Sequence, residues 1–319
     1  MELTAATAKL IGKAALFLGL AACEPVVASL PPSTAPDPGA LTAPAAFVPA
    51  SDVSKSLSKY YANVETGLIS QGLLRSDSSG LDVPFSSRDL VDNFIRIALF
   101  EEYTNIGGRI VAQETASQLH RWEKPIRMNI EFGASVPLEQ RAMDRANITE
   151  YAARLGRITG LPVQQTSRNA NYYVFVVNED ERKELGPQIR TILPGIEDAA
   201  VRAVTNMPRT TFCLVFAWDP QGTGEYSRSV AVIRGEHPDL MRLSCIHEEL
   251  AQGLGLSNDS PSARPSVFND DEEFGLLTTH DEMLLRMLYD PRLQTGMSPD
   301  EAAPIARQIA TDIMSQGTM

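Results

Sequence analysis

The chain of 319 residues has little of what the commonest functional sites are built from: three cysteines, four histidines and two tryptophans. It has no Gly-rich phosphate loop and no G-x-S-x-G nucleophile elbow, which excludes phosphate-loop nucleotide binding and a hydrolase of the elbow type. It has no internal repeat and no heptad run, so neither a repeat array nor a coiled coil is expected. No apolar run reaches the about 20 residues a membrane-crossing helix needs. An excess of cations is missing too: 28 Lys and Arg stand against 40 Asp and Glu, a formal net charge of -12. Such a surface repels phosphate backbones, so nucleic acid is not an expected partner. What remains is an ordinary globular mixture, 43% hydrophobic and 21% charged. Its length suits one large domain or two small ones.

The first residues read as a secretion signal. Lys9 and Lys13 precede the apolar run Ala14 to Ala22, which has the length of a signal-peptide core. The run ends Leu20-Ala21-Ala22-Cys23, which resembles the lipobox of bacterial lipoproteins. Residues 1–22 are therefore expected to be removed and Cys23 to carry lipid, the alternative being an ordinary cleaved signal with a chance cysteine. Glu24 follows where aspartate resembles an inner-membrane retention signal, so the expectation is a periplasm-facing anchor at the outer rather than the inner membrane. Residues 23–50 are dense in proline, which disfavours helix and sheet, and read as a disordered tether. Cys213 and Cys245 then remain as an even pair in an oxidising compartment. A disulfide between them is expected, two buried free thiols being the alternative.

Residues 51–84 read as a partly helical lead-in and 85–319 as one globular domain. Helix is expected across 51–105, where Leu90, Phe94, Ile97, Ala98 and Phe100 recur at turn spacing. Ile126, Met128, Ile130 and Phe132 alternate with polar residues, the period of a half-buried strand. A long helix is expected from Pro137 to Leu161, closed by Gly160. A strand at Asn171–Val177 follows, then a helical segment near Asp180–Ile192 and strands at TTFCLVFAWD and YSRSVAVIRG. A helix is expected to start near His247, just after Cys245. Thr279 and Glu282 read as the capping box of another, and a last helix follows Pro304. The fold class is α/β or α+β, a mixed twisted sheet with long packed helices and a C-terminal helical portion.

The candidate site is LSCIHEELAQGLGLSND. With LTTHDEMLLRMLY downstream and SVFND where a methionine turn would lie, it resembles the metzincin branch of zinc peptidases, whose H-E-x-x-H-x-x-G-x-x-H places imidazoles on one helix face. Aligned on Gly255, the ligand and base positions here hold Glu248, Glu249, Gln252 and Asn258. His247-Glu248 resembles the opening of the motif, but in that register the second ligand would be Ala251. The resemblance therefore implies a zincin-like fold with a degenerate site. Carboxylate and amide oxygens form a weak field for zinc, closer to what calcium accepts. EELAQGLGLSND, SVFND and HDEMLLRMLYDPRL are also similar to signature blocks of an uncharacterised proteobacterial lipoprotein-like family, domain of unknown function 2927, a resemblance that implies fold without activity.

Weaker candidates are read as structural. Cys245 and His247 are two apart and do not face each other on a helix. His280 reads as solvent-facing at a helix start; His120 and His237 read as loop residues without partners. His247 and His280 remain weak metal candidates, and Asn258, Asp259 or the run Asn269-Asp270-Asp271-Glu272-Glu273 a weak site for a hard cation, the run otherwise being a solvated loop. Trp122 and Trp218 read as core or rim. The expected function is an envelope lipoprotein whose cleft binds a peptide, glycan or protein without catalysis and without cofactor. The alternative is a metal-dependent hydrolase with non-standard ligands, zinc or calcium.

Overall fold

A computed structural model describes residues 47–106, 109–269 and 271–316, with backbone alone at 102–106, 109–113 and 316. The signal segment, Cys23 and most of the tether lie outside the described residues. In chain order the elements are α1 (Asp52–Ser70), α2 (Ser87–Ala98), β1 (Phe100–Ile106), β2 (Arg109–Ala116), β3 (Ile126–Phe132), α3 (Leu138–Thr159), β4 (Val163–Gln165) and β5 (Tyr172–Val177). There follow α4 (Glu179–Lys183), α5 (Gly186–Ile192), α6 (Asp198–Thr205), β6 (Cys213–Trp218), β7 (Arg228–Arg234), α7 (Asp239–Gln252), α8 (Thr279–Leu288) and α9 (Pro299–Gln316).

The main sheet has five strands in the order β4-β3-β5-β7-β6, and β1 with β2 forms a separate antiparallel pair. β4, β3, β5 and β7 run parallel, and β6 returns antiparallel on the outside, with Val215 opposite Ala231. Parallel strands covered on both faces become continuous apolar runs, which is why YYVFVV and SVAVIR occupy the middle. Tyr172, Val174 and Val176 of β5 enter one core with Ile148, Tyr151 and Leu155 of α3 and Ile246 and Leu250 of α7. Phe175 and Val177, pointing the other way, meet Ile189, Val201 and Val204 on α5 and α6. Full burial of a side chain such as Ile246 or Leu250 contributes about 1.5–3 kcal/mol. α2 and α9 pack together, and both pack on α8. None of the described helices is long and apolar enough to cross a membrane.

Sequence periodicity marks α3, β3, β5, β6 and β7 to within a few residues. Elsewhere tertiary contacts decide. Helix does not continue to residue 105: it ends at Ala98, and Phe100 pairs with Ala116 in the hairpin. The segment 180–192 divides into two helices at Gly186-Pro187, because proline suits a first helical turn and not an interior. α7 starts at Asp239, directly after Pro238, so Cys245 lies inside it rather than before it. The capping box of α8 is Thr278 with Asp281, one residue earlier than Thr279 with Glu282, because the Thr279 hydroxyl is used by Ser79 O. α9 starts ahead of Pro304 because Ser298 and Glu301 cap each other, Glu301 accepting from the Ser298 N–H at 2.9 Å.

Candidate functional site

A cleft of about 700 Å3 opens between the edge strand β6 and helix α7, with α6 and residues around Glu101 and His120 along its rim. Its two sides are tied by a disulfide between Cys213, the first residue of β6, and Cys245 in the middle of α7. The pairing expected from cysteine arithmetic is therefore present. On its other side β6 pairs with no strand among the described residues.

α7 presents Glu248, Glu249 and Gln252 to this cleft. Gln252 Nε2 donates to Asp259 Oδ1 at 3.1 Å. Cys213, Glu248 and Glu249 bring ligand-type atoms within 4.8 Å of one another. The Cys213 sulfur belongs to the disulfide, however, and only a thiolate is a metal ligand. What remains is two carboxylates and an amide, with no soft or imidazole donor between them. This donor set does not fit zinc.

The turn after α7 explains its glycines. The helix ends at Gln252 with Gly253 as its cap rather than at Gly255. The Gly253 carbonyl accepts from Trp122 Nε1–H at 2.9 Å. Gly255 has φ +122°, and a Cβ there would lie 2.1 Å from the His120 carbonyl oxygen. Only glycine permits that approach, and it returns the chain toward α2.

The other sequence candidates lie elsewhere. Asn258 is buried and bonds away from the cleft, its N–H donating to Ile97 O at 3.1 Å and its Nδ2 to Arg96 O at 2.9 Å. His247 stacks on Tyr151 at 4.0 Å, and its Nδ1 accepts the Leu277 N–H at 3.1 Å. With Nδ1 used as an acceptor, the neutral ring carries its proton on Nε2, and neither nitrogen offers a lone pair to a metal. His280 is not solvent-facing. It is fully buried against Phe85, with Nε2 3.1 Å from Asn93 Nδ2, because the Thr278–Asp281 cap turns this face of α8 inward. His237 also has partners: Tyr61 and Phe212 meet its ring edge-on. Of the four histidines, His120 lines the cleft, stacked on Tyr226 at 5.4 Å. Trp122 is core and Trp218 rim. The acidic run is more than a solvated loop. Asn269 is buried and bonds Ala263 O, and Glu273 pairs with Arg75 and Arg264; Asp270 lies outside the described residues.

Burial, aided by Arg154, pushes His247 down from 6.5 to about 3, with Asp281 opposing. A depressed folded pKa makes this contribution fully present above the unfolded value of 6.5 and lost as pH falls toward 3, because the unfolded chain takes the proton first. The expected loss is about 1.4 kcal/mol per pH unit within that window. His237, also held well below its ordinary value by burial, Arg234 and Arg242, adds loss of the same sign. Urea midpoints measured from pH 7 to 4.5 should fall less steeply in His247→Asn than in the parent, and parallel slopes would refute the assignment.

Sequence reasoning missed His120, Asp219 and Tyr226 as cleft residues. The apolar run ending in Asp219 was visible, but not that its strand lies at the sheet edge. The family model described as "Protein of unknown function (DUF2927)" matches residues 87–308, from the start of α2 into α9. None of the curated proteins matches the chain.

Proposed function

Because the chain belongs to the DUF2927 family of proteins of unknown function, its role has to be read from the site, and we propose a non-catalytic, peptidase-like binding protein anchored in the bacterial envelope. The observation that carries the reading is the lining of the cleft: α7 supplies Glu248, Glu249 and Gln252, while the imidazole of His247 is committed to Leu277 N–H. Support for a zincin-like ancestry comes from the order β3, long helix α3, β4 and β5, then, after the short helices α4 to α6, β6, β7 and α7, which resembles the zincin layout. Without a transition metal, Glu249 has no activated water to deprotonate. The cleft instead offers a strand edge that is unpaired among the described residues, with convergent carboxylate and amide groups, the equipment for holding an extended polypeptide. Lipid attachment at Cys23 rests on the Leu20-Ala21-Ala22-Cys23 motif, and outer-membrane sorting on Glu24 directly after it.

Purified chain should contain well under one equivalent of zinc by mass spectrometry and leave a peptide library uncleaved. Library members that bind should be lost in the Glu248→Ala, Gln252→Ala double variant. Stoichiometric zinc with peptide cleavage would overturn the reading. In cells, an alkyne-tagged fatty acid should label the parent and not Cys23→Ser.

A further inference from the structure

The cleft has a charge sign. Seven carboxylates line it, Glu101, Glu197, Asp219 and Glu248 among them, and no lysine or arginine does among the described residues. The chain's cations outside the described side chains are Lys9, Lys13 and Arg109. The seven acids outnumber those three cations even with every one of them counted against the cleft. The lining is also partly aromatic, with Phe216 and Trp218 of β6 and Tyr226. Along β6, Leu214, Phe216 and Trp218 belong to the face that packs toward α5 and α6, while Cys213, Val215 and Ala217 belong to the face toward α7. A segment added to the edge that is unpaired among the described residues would present alternate side chains to these two faces.

We propose that the natural occupant is an extended polypeptide segment carrying Lys or Arg at alternate positions; this rests on the peptide-binding reading above. Its backbone bonds to the edge of β6 that is unpaired among the described residues, its cationic heads meet the carboxylates, and the side chains between them lie on the opposite face against Phe216 and Trp218. Two other occupants are disfavoured by charge. The chain's own residues 24–46 contain no Lys or Arg, and a second copy brings its own net charge of -12.

The test is fluorescence anisotropy of the full-length chain with a short peptide of alternating arginine and valine, beside the same peptide with glutamine for arginine. In low salt the arginine peptide should bind at least about tenfold more tightly, and the advantage should shrink sharply near 0.5 M salt, where screening is strong. The triple variant Glu101→Gln, Glu197→Gln, Glu248→Gln should lose most of that advantage. A distant triple variant, Glu139→Gln, Glu150→Gln, Asp300→Asn, should keep it. If the cleft triple fails to fold by circular dichroism, the single Glu197→Gln change at an exposed position should still reduce the advantage measurably. Equal binding of the two peptides would overturn the cationic assignment and leave the peptide-binding reading standing. So would equal losses in the two triple variants, or tighter binding of a peptide spanning residues 24–46. Absence of binding by either peptide in low salt would overturn the cationic assignment, and no bound member in the broader library would overturn the peptide-binding reading as well.

Discussion

Replacing Arg242 with alanine should cost the fold about 3–5 kcal/mol, read as a large drop in urea midpoint. Arg242 and Asp144 are both almost fully buried, one on α7 and the other on α3. Arg242 Nε lies 2.7 and 2.8 Å from the two Asp144 oxygens, Nη1 donates to His237 O at 2.5 Å, and Nη2 to Asp239 at 2.8 Å. Removing the guanidinium leaves a carboxylate with no cation in a site water does not reach. The loss is therefore much larger than for any exposed pair, such as Lys55–Asp52, where about 0–1 kcal/mol is usual.

The dependence on pH identifies the cause. Even beside Arg242, burial raises the Asp144 pKa above its ordinary value, the neighbouring guanidinium opposing. A carboxyl raised in the folded state is least costly below its unfolded value of 3.8 and destabilises as pH rises through the folded one. Without Arg242 the upward shift must be greater. The gap between variant and parent should therefore narrow toward pH 4 and be widest near neutrality. Asp144→Leu combined with Arg242→Met should recover much of the loss, because the pair can be replaced by packing. A gap independent of pH, with no recovery in the double variant, would show that lost packing and not an abandoned charge is responsible.

Reducing the Cys213–Cys245 disulfide should cost nearly as much. Its closure spans a sequence separation of 32, for which loop entropy in the unfolded chain predicts about 3.5–4 kcal/mol. The Cys213→Ser, Cys245→Ser double variant should lose a similar amount and become insensitive to dithiothreitol, while the parent becomes sensitive once denaturant exposes the bond. Because the bond joins β6 to α7, the two elements that flank the cleft, peptide affinity should fall together with stability. A stability loss below about 1 kcal/mol would mean that the sheet and α7 hold the cleft together without it.

Not all of this was equally visible in the amino-acid order. β5 and β7 were legible because a strand covered on both faces must be apolar throughout. α3 was legible because a helix covering one sheet face carries its apolar residues at turn spacing and ends where Gly160 takes a left-handed conformation. The limits of α2, α7, α8 and α9 were not, since each depends on a partner distant in sequence. Phe100 leaves the helix to pair with Ala116, and Thr279 gives its hydroxyl to Ser79 O. The histidines teach the same lesson. His247 followed by Glu248 looks like the start of a metal motif, yet whether its ring faces a cleft or a neighbouring backbone N–H is set by Leu277, thirty positions away.

What the sequence determined by itself was composition, the class of fold, the pair of cysteines and the oxygen-rich residues at the motif positions, because these follow from residue type and short-range period. Only the tertiary structure decided that β6 lies at the sheet edge, that the disulfide ties it to α7 across a cleft, and that Glu248, Glu249 and Gln252 face in while Asn258, His247 and His280 do not. Direction is a property of packing: a side chain points where neighbours remote in sequence leave it space and a hydrogen-bond partner.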